Sequence, residues 1–328
     1  MLSMTIATER YDRTVPLHDG LVRPEGIDVN WLALNVEQIF WRMNQHREFD
    51  ASEQSLAAYT IRRDQGYTDL IAIPVFLSRV FRHDCIYVNS ESGINEPRDL
   101  VGRRVGVPEY QVTAAIFVRG ILQDDYGVRG EDMIWVQGGL EQPGRIPHTR
   151  IDPPAGVEIV QAPRDKPLAA MLASGEIDAL VSPRLPSSFR AGDGRVRRLF
   201  DDPWTLEREY YRRTNVFPIM HMFAIKSEIV REHPWVPQTL ANAFLQAKAM
   251  AEADLRETAS LHVGLPFLPH HYEETVALMG QEFWPYGIEP NRATLETFLR
   301  YAHEQKLIKS IPQIEDLFAP STVRVSRT

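Results

Sequence analysis

An α/β protein of two lobes is the fold class that this sequence predicts, and three observations predict it. The chain has 328 residues, enough to build two modest hydrophobic cores. Short apolar runs alternate with amphipathic segments, which is the pattern of βαβ units. That alternation stops at a polar connector over residues 92–100 and then starts again.

From the N-terminus, residues 5–7 read as a strand and 27–34 as a second, entered through the turn-like Arg23-Pro24-Glu25-Gly26. Val36, Ile39, Phe40 and Met43 recur at helical spacing within 36–46. A strand at 49–51 leads to a helix starting near Ser52 or Ser55, with Leu56, Tyr59 and Ile61 facing inward. Residues 70–76 and 85–88 read as buried strands. Beyond the connector come a strand at 104–107, a turn at Pro108-Glu109 and a helix over 111–126. Val112, Ala115, Ile116, Val118 and Leu122 are that helix's expected core contacts. Strands at 134–136 and 157–160 flank a Gly- and Pro-rich loop over 138–154. A short helix at 167–174 and the turn Gly175-Glu176-Ile177-Asp178 enter a strand at 179–181. Residues 217–225 form a further apolar strand, and 236–256 a long run of good helix formers. The remainder, including 294–305, is helical with Pro-rich joints, and no internal repeat occurs.

Composition narrows the function. Net charge is −8 and no dense Lys/Arg run is present, which disfavours a nucleic-acid or anionic-membrane partner. Local arginines can still bind a small anion. The single cysteine, Cys85, excludes an intramolecular disulfide. Residues 1–10 have neither the basic start nor the apolar core of a secretion signal, and no stretch approaches the ~18–20 apolar residues of a membrane span. A cytoplasmic location is expected.

Two motifs point to a particular two-lobed fold. Ser92-Gly-Ile-Asn-Glu-Pro-Arg-Asp-Leu100 with Val101-Gly-Arg-Arg-Val-Gly-Val107 is similar to the stretch where type II periplasmic binding proteins enter their second lobe. Leu172-Ala-Ser-Gly-Glu-Ile-Asp-Ala179 resembles their L-x-x-G-E-I-D-A segment. The resemblance implies two α/β lobes, two crossover hinge strands near 88–103 and 213–222, and C-terminal helices. Residues 1–95 plus 216–328 would form lobe I, and 96–215 lobe II.

A narrower resemblance covers most of the chain. Tyr11-Asp12-Arg13, Val22-Arg23-Pro24-Glu25-Gly26-Ile27, Ala72-Ile73-Pro74-Val75-Phe76, Ser78-Arg79, Phe81-Arg82-His83 and Gly106-Val107-Pro108-Glu109-Tyr110-Gln111 look like the 4,5-dihydroxyphthalate decarboxylase family. So do Gly138-Gly139-Leu140-Glu141, Pro143-Gly144-Arg145 and Phe217-Pro218-Ile219-Met220-His221. Ser52-Glu53-Gln54-Ser55 departs from the family's Ser-Glu-Leu-Ser form at Gln54. The resemblance implies loss of one carboxyl group from a dihydroxylated phthalate, giving protocatechuate without an organic cofactor. Related hydroxylated aromatic acids are an alternative substrate. A solute-binding receptor for an aromatic acid is an alternative from another class, and it needs a clamp but no acid/base pair.

Decarboxylation of an aryl acid needs a route around a free aryl carbanion. Ionising a hydroxyl para to the carboxylate sends electrons to the ring carbon, which is then protonated before carbon dioxide leaves. The site therefore needs a base at the phenol, an acid at the ring carbon and a cationic clamp on the retained carboxylate. An equally tight clamp on the departing carboxylate would stabilise the substrate more than the transition state.

Residues beyond strand ends face the ligand crevice of open α/β sheets. Arg79, Arg82 and His83 follow the strand at 70–76, and Tyr11 and Arg13 follow the first strand. By position alone these are loop charges or helix starts, with Asp12 a cap; the resemblance implies a ligand role. Glu53 and Ser55 follow the strand at 49–51, where a helix cap and a catalytic carboxylate are equally open. Tyr110 and Thr113 stand at a helix start, a natural anion site, with ordinary capping as the alternative. Arg184 follows the strand at 179–181. His221 lies in an apolar run, where a hydrogen-bonded core histidine is the commoner occupant; the resemblance makes it a proton donor.

The expected assignment is then proton transfer by His83 and His221, with Glu53 as phenol base or orienting partner. Arg79, Arg82 and Arg13 hold the retained carboxylate, and Tyr11, Tyr110, Thr113 and Arg184 complete substrate binding. No phosphate loop, nucleophile elbow or zinc motif is present, His270-His271 being poor metal partners, so neither cofactor nor metal is expected, with a carboxylate–His metal centre involving Glu53, His83 or His221 as the open alternative. A homo-oligomer is expected from Phe283-Trp284-Pro285-Tyr286, with packing inside the subunit as the alternative.

Overall fold

The structure, a computed structural model, describes residues 1–145 and 149–323. Its chain begins β1 (Leu2–Thr8), α1 (Val15–His18), β2 (Ile27–Ala33), α2 (Val36–His46), β3 (Ala51–Ser55), α3 (Leu56–Asp64) and β4 (Leu70–Arg79). It continues with β5 (Ile86–Asn89), β6 (Arg104–Val107), α4 (Thr113–Tyr126), β7 (Ile134–Gln137) and β8 (Glu158–Gln161). Then come α5 (Leu168–Ser174), β9 (Ala179–Val181), α6 (Ser187–Arg190), β10 (Val196–Arg198) and α7 (Pro203–Thr214). After β11 (Ile219–Lys226) the chain ends in α8 (Ser227–Glu232), α9 (Val236–Arg256), α10 (Leu268–Met279), α11 (Arg292–Glu304) and α12 (Pro320–Val323).

These strands form two sheets, in the orders β2-β1-β3-β11-β4 and β10-β5-β9-β6-β7-β8. In the first, β1 runs parallel to β2 and β3, while β11 is antiparallel to β3 and β4. In the second, β9, β6, β7 and β8 are parallel, and β5 lies antiparallel between β10 and β9. The chain therefore leaves the first sheet between Arg79 and Ile86 and returns between Arg198 and Ile219. The connector at 92–100 joins β5 to β6 inside the second lobe, because β5 pairs only with strands of that sheet. Each lobe here means one sheet with its covering helices.

Most expected elements are present, several with the expected bounds; the exceptions are instructive. A strand was expected at 49–51, but β3 runs from Ala51 to Ser55 and carries four polar residues. They are accommodated because β3 is flanked by β1 and β11, and the Glu53 and Gln54 side chains find internal partners. Strand β10 and helix α7 had no sequence expectation. Of the loop expected at 138–154, residues 146–148 lie outside the described residues.

The C-terminal helices brace both lobes. Helices α9 and α12 pack on β4, while α11 packs on α4. Residues 113–122 of α4 are buried all round, as a helix wedged between a sheet and another helix must be. Gly120 permits that approach, since a Cβ there would lie 2.3 Å from the Tyr301 ring. Phe283-Trp284-Pro285-Tyr286 packs within the subunit: Trp284 donates to the Phe76 carbonyl at 2.9 Å and Tyr286 is buried. Among the described residues no helix is long and apolar enough to cross a membrane.

Candidate active site

A cleft of about 800 Å³ separates the two sheets. Its walls come from the C-terminal ends of the parallel strands, where α/β sheets place their ligands. From the first lobe, Glu9 follows β1, Ser55 ends β3, and Ser78 and Arg82 lie at the end of β4. From the second, Glu109, Gln111 and Thr113 follow β6, Arg145 follows β7, and Ser182 and Arg184 follow β9. β11 runs antiparallel to its neighbours, so its N-terminal end carries Met220 and His221 to the same rim.

His221 sits where the β4–β11 register is broken, opposite Ser55 on one side and Ser78 on the other. Such a bulge re-aims a side chain, here toward the cleft. Nδ1 of His221 lies 2.7 Å from Oε1 of Glu53, and the ring meets Phe40 edge-on at 5.0 Å. Glu53 is fully buried. The Tyr11 hydroxyl donates to its Oε1 at 2.7 Å, and the Glu9 backbone N–H donates to its Oε2 at 3.0 Å. A buried carboxylate so bound keeps the proton on Nδ1 and directs Nε2 at the cleft. Burial and the adjacent Glu53 charge push the Tyr11 phenol far up, so it stays a donor. Burial, then the Glu53 charge, also raises the Glu9 carboxyl above the usual carboxylate range, while His221 and Arg184 pull it down.

Positive charge enters from both lobes. Arg82 is buried, with Nε 3.2 Å from the Met220 sulfur, and among the described residues it has no carboxylate at ion-pair distance. Arg145 is held from behind by buried Glu109, with Nε 2.8 Å from Oε1. Arg145 and Arg184 each reach one oxygen of Glu37, at 3.3 and 3.2 Å. Thr113 Oγ1 accepts from the Ala57 N–H at 3.1 Å and lies 3.1 Å from Ser55 Oγ, so the starts of α3 and α4 meet on the floor.

Of the residues singled out from sequence, Tyr11, Arg82, Thr113, Arg184 and His221 line this cleft, and Glu53 stands directly behind it. Four others lie outside its lining. Bulging of β4 frees backbone carbonyls, and Arg13 donates to that of Leu77 through Nε (2.9 Å) and Nη2 while lying between the Tyr11 and Trp284 rings. Arg79 donates to the Phe217 carbonyl at 2.8 Å and stacks on its ring; burial lowers its pKa to about 9. His83 is buried against Tyr210 and Phe200, and burial, aided by Arg213, depresses its pKa to about 4. Tyr110 is buried under Arg119, to which it offers its carbonyl at 2.8 Å. Of the three arginines expected to clamp the substrate from the first lobe, Arg82 is the one that lines the cleft.

Glu9, Glu37, Gln111 and Arg145 were missed as site residues. Arg145 stood in the motif Pro143-Gly144-Arg145, but nothing local separates it from other loop arginines. Gln54 faces away from the cleft and donates to Ser52 Oγ at 3.0 Å. His271 is an exposed residue packed on Trp204. Among the described residues no group of three or more His, Cys, Asp or Glu side chains is placed to hold a metal ion.

The chain is 40% identical over 322 residues to a 4,5-dihydroxyphthalate decarboxylase from Comamonas testosteroni, covering 98% of both chains. It is 42% identical over 211 residues to another so named from Pseudomonas putida, covering 64% of this chain and 82% of that one. No family model matches. Among solved structures, the periplasmic aliphatic sulphonate binding protein SsuA from Escherichia coli aligns over 98% of this chain and 99% of its own, with a TM-score of 0.54 and 16% identity. The periplasmic sulfonate-binding protein SsuA from Methylobacillus flagellatus KT aligns over 98% and 93%, with a TM-score of 0.57 and 16% identity. At that identity these two speak for the fold alone, which is that of the periplasmic binding proteins.

Proposed function

The chain belongs to the 4,5-dihydroxyphthalate decarboxylase family, and from that premise we propose that it converts 4,5-dihydroxyphthalate to protocatechuate and carbon dioxide. The observation that carries the reading is His221, oriented by buried Glu53 and Tyr11, with its other ring nitrogen turned to the cleft. A receptor needs a clamp; it has no use for an imidazole oriented in this way.

In the proposed reaction Glu9 accepts the proton of the phenol para to the departing carboxylate. His221, as imidazolium, donates its Nε2 proton to the carbon bearing that carboxylate. The carbon–carbon bond then breaks, its electrons restore the aromatic ring, and carbon dioxide leaves. The ring oxygen recovers a proton from Glu9, and His221 is reprotonated from water, so one proton is consumed per carbon dioxide released. Glu53 stabilises the imidazolium, and its three donors make it an orienting partner better than a phenol base. Arg82 faces the developing phenolate, while Arg184 serves the retained carboxylate. Phe40 and Met220 offer the departing carboxylate an apolar wall, which disfavours charge and favours its loss. We propose that side chains alone run this chemistry.

The test is incubation of the purified protein with 4,5-dihydroxyphthalate, following carbon dioxide and the aromatic product. One equivalent of each, undiminished after chelation, is the expected result. Tight binding without product would replace the reading with that of a receptor.

A further inference from the structure

The Glu37 carboxylate, in the first turn of α2, straddles two guanidinium groups of the opposite lobe. Its Oε2 lies 3.3 Å from Arg145 Nη1, and its Oε1 lies 3.2 Å from Arg184 Nη2. The three partners are not equally fixed. Arg145 is anchored by Glu109, which is buried and is approached on its other oxygen by Gln111 Nε2 at 3.4 Å. Arg184 has Glu37 as its one carboxylate among the described residues, and both of those side chains are substantially exposed. Two positive forks are thus built into the second lobe at the cleft, and a partly exposed first-lobe carboxylate occupies them.

We propose that Arg145 and Arg184 form a subsite for the retained carboxylate of an aromatic dicarboxylate, and that Glu37 is its internal stand-in, displaced when the ligand arrives. Exposed ion pairs are individually weak, so an incoming carboxylate can replace Glu37 at little cost. A ligand carboxylate would take the same two contacts, one oxygen to each arginine. A ring without a carboxylate, seated by its hydroxyls, leaves the Glu37 bridge closed. The device therefore selects for a carboxylate on the ring and couples its binding to release of a lobe–lobe contact. The inference rests on the reading of the cleft as the substrate site.

The experiment is calorimetric binding of phthalate, which lacks the hydroxyls needed for turnover, and of catechol, which lacks the carboxylates. The full-length protein should prefer phthalate. Arg184→Met should weaken phthalate about tenfold and catechol less than about twofold. Glu37→Gln should tighten phthalate about two- to fivefold and leave catechol unchanged. Equal losses for both ligands in Arg184→Met, or an unchanged phthalate affinity in Glu37→Gln, would overturn the proposal. These variants spare the buried Arg145–Glu109 pair, so folding is not at issue. A phthalate preference that responds as expected in a protein without decarboxylase activity would keep the subsite and sink the reaction. Turnover without that preference would do the reverse.

Discussion

At the scale of single residues, the site works because a few buried partners decide what exposed atoms do. His221→Gln removes the Nε2 proton donor whose ring Glu53 orients, and kcat should fall about 10²- to 10⁴-fold with the fold intact by circular dichroism. Unchanged turnover would remove His221 from the chemistry. Glu9 must be ionised to accept the phenol proton, and burial with the Glu53 charge raises its pKa. The acid limb of kcat/KM should therefore lie above the usual carboxylate range and disappear in Glu9→Gln. A profile identical to that of the parent would reassign the base. Away from the site, burial and then Asp84 push Glu207 up to about 7. A carboxyl raised in the folded state stabilises below its unfolded pKa and loses that contribution as pH rises through the folded one. Glu207→Gln should thus abolish a stability loss of about 2–3 kcal/mol between pH 5 and 8. Parallel denaturation curves for the two proteins across that range would refute it. Neither carboxyl's role could be read locally: Glu9 and Glu207 look alike as letters, and neighbours far along the chain set their properties.

At the scale of elements, legibility followed burial pattern. Helices with one apolar face, such as α2, and strands that are continuously apolar, such as β9, were recognisable by period. β3 was misplaced because its buried side chains are polar, and hydrophobic pattern carries no signal where partners replace solvent. The bulge in β4 also escaped notice, although it explains where Arg13 went: a freed carbonyl needed a donor, and Arg13 supplied one at Leu77. Element packing yields its own prediction at Gly120. A Cβ would sit 2.3 Å from the Tyr301 ring, so Gly120→Ala should destabilise by about 1–3 kcal/mol despite the better helix propensity of alanine. A rise in melting temperature would mean that α11 can move aside at no cost.

At the scale of the whole molecule, two lobes present their strand ends to one cleft, and both contribute to it. A ligand seated there should slow amide exchange at the starts of α3 and α4 together, at residues 57–58 and 114–116. Protection confined to one lobe would place the ligand elsewhere. The sequence by itself determined the α/β class, the alternation that makes two sheets, and, through its family motifs, the chemistry to look for. It also singled out Tyr11, Arg82, Thr113, Arg184 and His221, which line the cleft, and Glu53 behind it. What only the tertiary structure decided was which polar residues share the cleft. Arg79, Arg13, His83 and Tyr110 were plausible by position after a strand, yet each is drawn into internal bonding or packing. Arg145 and Glu37, 108 residues apart, meet only across the lobes. The physical reason is that strand order and helix periods are local properties of a chain, whereas a side chain's partners depend on which distant segments the packing brings within about 3 Å of it.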